Sequence, residues 1–300
     1  MEADQPSITA IAAARLRAAH LLWGDPPRIF EDTFALRLSG CESEAALRTQ
    51  LDLIDARTAR HGTPELAEAM RRYMTATVIT RSRYVEDEVE QAIRRGISQY
   101  VILGAGLDSF AYRRFDLATV LRVFEVDHPA SQVWKRSRMQ EAEIEPPSNM
   151  TLVPVDFEQQ CLLASLRLIG YRTDVPGIFS WLGVTTYLTC SAIFDTLQTI
   201  AQLAAGTEII LGYLVPEKLM DEEARKILAM LKAFAARCGE PFRTFFEPTR
   251  LRAELRNLGF TRISNLSPDE AGARYCKGRI DGLWPFAGEH YMHAARYGNK

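Results

Sequence analysis

No C-x-x-C pair occurs among the five cysteines, Cys41, Cys161, Cys190, Cys238 and Cys276. They are single and odd in number, and no secretory segment is expected ahead of them, so no disulfide framework is expected and a reducing, cytoplasmic setting fits. The chain also lacks an uncharged apolar run of the roughly 18–20 residues that a membrane span needs. Its opening stretch, MEADQPSITAIAAARLRAAHLLW, starts acidic and places Arg15, Arg17 and His20 where a signal peptide would be apolar. There is no basic excess: 36 Lys and Arg face 38 Asp and Glu, a formal net charge of -2. A nucleic-acid partner is therefore not expected, because holding many phosphates calls for positive surplus. The motifs G-x-x-x-x-G-K-[ST], G-x-S-x-G and H-E-x-x-H are missing. What is present is an ordinary globular composition, 47% hydrophobic and 25% charged over 300 residues, long enough to bury a sizeable core.

Two regimes divide the chain. Residues 1 to about 95 read as helix throughout. Ile8, Ile11, Ala12, Ala19 and Leu22 share one helical face, which Arg15 interrupts. A second helix is expected after the Pro26-Pro27 break, and a third within 43–61 that stops near Gly62. Thr63, Pro64 and Glu65 then supply an N-cap, a proline at the first helical position and an acid in the first turn. The long helix they open ends near Gly96. From about residue 99, short apolar runs at 100–103, 121–126, 151–155, 177–181 and 208–214 alternate with helical stretches. That alternation is the form of a mostly parallel, doubly wound α/β sheet. Further helices are expected at about 217–238 and 248–257, and strands at 259–266 and 289–296. His290 and His293 have metal-ligand spacing only on a helix, so no metal site is expected on what reads as a strand.

In a doubly wound sheet the ligand lies beyond the carboxyl ends of the strands. The first strand runs into Gly104, Ala105, Gly106, Leu107, Asp108 and Ser109. Two glycines permit a tight turn and close approach of a ligand, while the third glycine of a dinucleotide fingerprint is replaced by Ser109. The second strand ends in Glu125-Val126-Asp127-His128-Pro129. A carboxylate there either accepts bonds from ribose hydroxyls or caps the helix that Pro129 opens. The third ends in Asp156-Phe157, an acid for an exocyclic amine with a ring for the base, or again a helix cap. Arg81 projects from the long helix beside an apolar stripe of Leu66, Met70, Met74, Val78 and Val85. A guanidinium there needs an anion, either a ligand carboxylate or Glu88. Together the strand ends describe a site for an adenosine-bearing cofactor that needs no pyrophosphate cradle.

Thr80-Arg81-Ser82-Arg83-Tyr84, Val101 through Ser109, Phe124 through Pro129 and Val155-Asp156-Phe157 together resemble the leucine carboxyl methyltransferase family. The likeness is close over about 65–215 and looser elsewhere. It implies a Rossmann-like class I fold and a methyltransferase using S-adenosyl-L-methionine, with S-adenosyl-L-homocysteine as product. It further implies that Arg81 binds the methionine carboxylate and that Gly104, Ala105 and Gly106 abut the methionine. Asp127 would hold the ribose, Asp156 and Phe157 would flank the adenine, and the neighbouring Glu125 and His128 count with the cofactor site. One departure stands out: many members carry a glutamate after the fourth strand, where this chain has Leu182.

Methyl transfer from a sulfonium is largely alignment of nucleophile, methyl carbon and sulfur. Tyr187, past the fourth strand, is the expected orienter of the acceptor or else a packing residue under a lid; His128 is a lesser candidate for a base. The expected organisation is a helical N-terminal lid at 1–95, a cofactor-binding catalytic domain at 96–300, and an inserted lid at about 215–247. O-methylation of a small metabolite, polyketide-type or other, leads. Methyl-ester formation on a small acid or peptide C-terminus comes second, and a non-catalytic cofactor-binding protein is the reading of another class. A short-chain dehydrogenase would need Tyr-x-x-x-Lys, and none of the ten tyrosines has lysine four positions on. Neither the acceptor nor the oligomeric state is written in the sequence.

Overall fold

A computed structural model describes residues 7–60 and 62–297. The acidic start that argues against a signal peptide, residues 1–6, lies outside the described residues. The first described elements are helical: α1 (Ile8–Trp23), α2 (Ala35–Leu38), α3 (Glu44–Ala59) and the 31-residue α4 (Pro64–Arg94). Strand and helix then alternate through β1 (Gln99–Leu103), α5 (Phe110–Arg113), β2 (Arg122–Asp127), α6 (Pro129–Glu141), β3 (Met150–Pro154), α7 (Leu162–Leu168), β4 (Ile178–Trp181), α8 (Cys190–Ala201) and β5 (Glu208–Leu214). The chain closes with α9 (Glu222–Arg237), α10 (Pro248–Asn257), β6 (Arg262–Leu266), α11 (Pro268–Tyr275) and β7 (Glu289–Ala295).

The seven strands form one sheet in the order β3-β2-β1-β4-β5-β7-β6. The first five are parallel, and β7 runs antiparallel to both its neighbours. Chain order reverses between β1 and β4, so a crevice opens at the carboxyl ends of these strands. The apolar strands are explained by burial on both faces. Val101, Leu103, Phe124 and Phe179 pack toward α7, α8 and α10, whereas Tyr100, Ile102, Val123 and Ile178 pack toward α4 and α5. Through Tyr84, Val85, Val89 and Ala92, the second half of α4 covers the sheet directly.

Local signals account for the ends. Thr63 adopts extended backbone and its hydroxyl accepts from the Leu66 N–H at 3.2 Å, starting α4 where the Thr-Pro-Glu run predicts. Ser267 and Glu270 form a capping box that opens α11, a helix not anticipated although its Ser-Pro-Asp-Glu signal is in plain view. Two expectations need correction. The segment after Pro26-Pro27 is irregular except for the four residues of α2. In α1 the buried residues are Ala14, Arg17, Ala18 and His20, and Ile8 is 40% exposed.

Arg17 is buried because it is paired. Its Nε donates to Asp32 Oδ2 at 2.7 Å and its Nη2 to the Leu107 carbonyl at 2.6 Å, tying α1 to the turn after β1. Burial pushes the Asp32 carboxyl up, but Arg17 and Arg113 outweigh it and hold it below its ordinary value. Arg17→Met keeps the aliphatic stem and strands a carboxylate that is 1% exposed. It is expected to cost about 3 kcal/mol in urea unfolding. An unchanged midpoint would mean that Arg113, 3.7 Å from Asp32, suffices alone.

Candidate functional site

At the carboxyl rim of the parallel strands lies a cavity of about 580 Å³. Of the residues singled out from the sequence, Arg81, Gly104, Ala105, Gly106, Asp127, His128, Asp156, Phe157 and Tyr187 all line it. Glu125 does not.

The turn after β1 is built by backbone. Gly104 and Ala105 both donate their N–H to the Val126 carbonyl, at 2.8 and 3.0 Å, which folds the chain over the end of β2. Gly104 sits at φ +65°, and a Cβ there would stand 2.3 Å from Val184 Cγ2, so only glycine fits. The Gly106 N–H then donates to Asp127 Oδ2 at 2.5 Å, and the His128 N–H to Asp127 Oδ1 at 2.6 Å. Burial pushes the Asp127 carboxyl above its ordinary value, opposed by these two donors. A carboxylate oxygen can accept more than one hydrogen bond, and Asp127 lines the cavity. His128 does the capping itself: its Nδ1 accepts from the Ala130 N–H at 3.3 Å, and Pro129 opens α6 as expected.

Asp156 organises the turn before α7, accepting from the Glu158 N–H at 2.9 Å and Gln159 Nε2 at 3.0 Å. The Phe157 ring packs against Trp181 with centroids 5.5 Å apart. Tyr187 packs on Phe242 at 5.5 Å, and burial raises its phenol to about 12 despite the Thr9 hydroxyl beside it. Thr9 in turn donates to Glu240 Oε2 at 2.9 Å, fastening the start of α1 to the segment after α9.

Two expectations are corrected here. Glu125 is fully buried away from the cavity, with its Oε2 against Lys135 Nζ at 2.5 Å. That ammonium also donates to the Asp108 carbonyl at 2.7 Å, so the pair supports the glycine turn from behind. Asp127 and Glu125 share a strand face, but α6 covers the inner position. The Glu88 pairing weighed for Arg81 is also absent: Glu88 lies near Arg274 and His293 instead. Arg81 pairs with Glu289 at 3.1 Å. Burial pulls the guanidinium pKa down, yet Glu289 outweighs it and raises it overall. Glu289, Thr9, Glu240 and Phe242 escaped sequence reasoning, since each reaches the site from far along the chain and none sits in a motif. Leu182 lines the cavity and offers no charge.

Burial lifts the Glu125 carboxyl to about 7 from an ordinary 4.5, against the pull of Lys135. The native state thus holds this proton more tightly than the unfolded chain, and stability linked to Glu125 falls as pH climbs through that interval. Lys135→Met is expected to cost about 3–5 kcal/mol at pH 8 and clearly less at pH 5, where the stranded carboxyl is protonated. Urea unfolding at both values checks it, and equal losses would mean that Lys135 contributes packing alone.

Comparison with known proteins identifies the family. The sequence profile of the family described as leucine carboxyl methyltransferase matches residues 10–201. YktD of Bacillus subtilis (strain 168), named provisionally as an S-adenosyl-L-methionine-dependent methyltransferase, is 29% identical over 307 residues, 99% of this chain and 100% of its own. A similarly named protein of Mycobacterium marinum (strain ATCC BAA-535 / M) is 31% identical over 73% of this chain and 66% of its own length. Among solved structures, a DUF574 family protein from Streptomyces avermitilis superposes with a TM-score of 0.57 at 13% identity, covering 95% of this chain and 97% of that one, which speaks for the fold alone. By sequence and by architecture, the chain belongs to the leucine carboxyl methyltransferase family and is an S-adenosyl-L-methionine-dependent methyltransferase of Rossmann-like class I fold.

Proposed function

We propose that the chain transfers a methyl group from S-adenosyl-L-methionine to an oxygen of a small, largely apolar acceptor. The observation that supports this most is one cavity holding the glycine turn, Asp127, Asp156, Phe157, Arg81 and Tyr187 together. Its volume falls in the roughly 300–1,000 Å³ range of small-molecule sites.

The residues present suit the cofactor. Asp127, with both oxygens already oriented by backbone donors, would take the ribose hydroxyls through its remaining lone pairs. Asp156 and Phe157 would flank the adenine, the bare turn at Gly104, Ala105 and Gly106 would abut the methionine, and Arg81 would meet its carboxylate. The bound cofactor supplies a methyl group already activated on a sulfonium, so the protein's work is alignment and exclusion of water.

Met74, Leu231, Phe234 and Phe242 also line the cavity and would give apolar walls for an acceptor. The helical region before β1 and the segment at about 215–247 would act as the lid over it. The Thr9–Glu240 bond is the latch between the two. Tyr187, with its phenol raised to about 12, keeps its proton near neutral pH and would orient the acceptor oxygen as a donor. That same retained proton favours a second reading, methyl-ester formation on an acid, because a carboxylate acceptor needs no base. Transfer of labelled methyl to a panel of phenols and apolar acids separates the two.

Asp127→Ala is expected to weaken S-adenosyl-L-homocysteine binding at least tenfold, about 1.4 kcal/mol. Titration calorimetry on the folded variant checks it, and an unchanged affinity would contradict the ribose assignment.

A further inference from the structure

We infer that Glu289 is the receptor for the ammonium group of the cofactor's amino-acid end, so that Arg81 and Glu289 together grip a zwitterion. This rests on the S-adenosyl-L-methionine reading above. Both side chains line the cavity, Arg81 14% and Glu289 9% exposed, and they stand side by side at 3.1 Å. Two glycines make room for them. A Cβ on Gly183 would fall 2.8 Å from Arg81 Nη2, and one on Gly212 would fall 3.3 Å from Glu289 Oε1. The backbone is therefore left bare beneath the two charges, just past β4 at Gly183 and within β5 at Gly212.

The pair is incompletely satisfied from within the protein. Among the described residues only Nη1 of Arg81 bonds to Glu289, at 3.1 Å to Oε1 and 3.5 Å to Oε2. Nε and Nη2 of the guanidinium bond to no acceptor there, and the buried Tyr291 hydroxyl stands near Glu289 without forming an aligned hydrogen bond. Charges this buried are costly unless each is fully met. An α-amino acid carries its carboxylate and ammonium on one carbon, side by side as the guanidinium and carboxylate stand here. Laid against the pair, the zwitterion puts its carboxylate on the open N–H groups of Arg81 and its ammonium on Glu289, alternating the four charges. In the absence of ligand, each protein charge neutralises the other, so neither is stranded when the site is empty of its zwitterion. Leu182, the first side chain past β4, supplies no competing charge.

Calorimetry with S-adenosyl-L-homocysteine and its deamino analogue, on the wild type and on Glu289→Gln, tests the assignment. A charge-assisted hydrogen bond predicts that the wild type prefers the amino-bearing ligand by about tenfold or more. In Glu289→Gln that preference should shrink to within about threefold, while the deamino analogue binds both proteins alike. An undiminished preference in the folded variant, or a wild type that binds both ligands equally, would overturn the assignment of Glu289 and leave the cofactor reading standing. A wild type that binds neither ligand would instead remove the cofactor reading itself, and this inference with it. If Glu289→Gln does not fold, Glu289→Asp keeps the charge but withdraws it by one methylene; its preference should fall at least threefold below the wild type's, and an unchanged preference overturns the assignment.

Discussion

The architecture of the rim depends on one carboxylate held between two strand ends. Asp127 closes β2 and accepts backbone N–H groups from Gly106 and from His128, so the turn after β1 and the start of α6 are fixed relative to each other by a single side chain. Without that acceptor, two part-buried donors would lose their partner and the glycine turn its anchor. The interaction also fixes the orientation of the aspartate, whose side chain lines the cavity. A binding group held this way loses little freedom when a ligand arrives.

Buried charge pairs brace this turn on both sides. From one side, Lys135 reaches from α6 to Glu125 and to the Asp108 carbonyl. From the other, Arg17 reaches from α1 to Asp32 and to the Leu107 carbonyl. Arg113 joins the same group through Glu86 and Ser109. Such pairs are weak evidence for stability in themselves, since desolvation offsets much of their attraction. Here Lys135 and Arg17 each end on a carbonyl of the loop that lines the cavity, and that tells what they hold in place. Catalysis by alignment needs a rigid rim more than it needs reactive side chains.

Much of the fold was legible because its signals are local. The strands were readable as apolar runs and α4 from Thr63-Pro64-Glu65. The three strand-end motifs were readable because, in a parallel sheet, the residues just past each strand's carboxyl end face the ligand. Glu125 and Asp127 look equivalent in sequence, two residues apart on one strand face. The position of α6 separates them, since Lys135 covers only the inner one. Glu289 was illegible for a different reason: it arrives on an antiparallel strand more than 200 residues after Arg81, and pairing at that separation leaves no trace in either neighbourhood. The face of α1 was misjudged because a buried arginine counts as polar in any periodicity, while its two partners, Asp32 and Leu107, are fixed only by the tertiary structure.

The Leu182 position shows how family pattern and local chemistry part company. An apolar side chain stands where the family resemblance leads one to expect an acid, and the same cavity is lined by a carboxylate that β7 brings against Gly212. The central claim is that a sulfonium nucleoside rests along the ends of β1, β2 and β3. A crystal structure soaked with S-adenosyl-L-homocysteine tests it most directly. The account predicts ribose hydroxyls within hydrogen-bonding distance of Asp127, with the amino-acid end against Arg81; ligand density elsewhere, with that rim filled only by solvent, would contradict it.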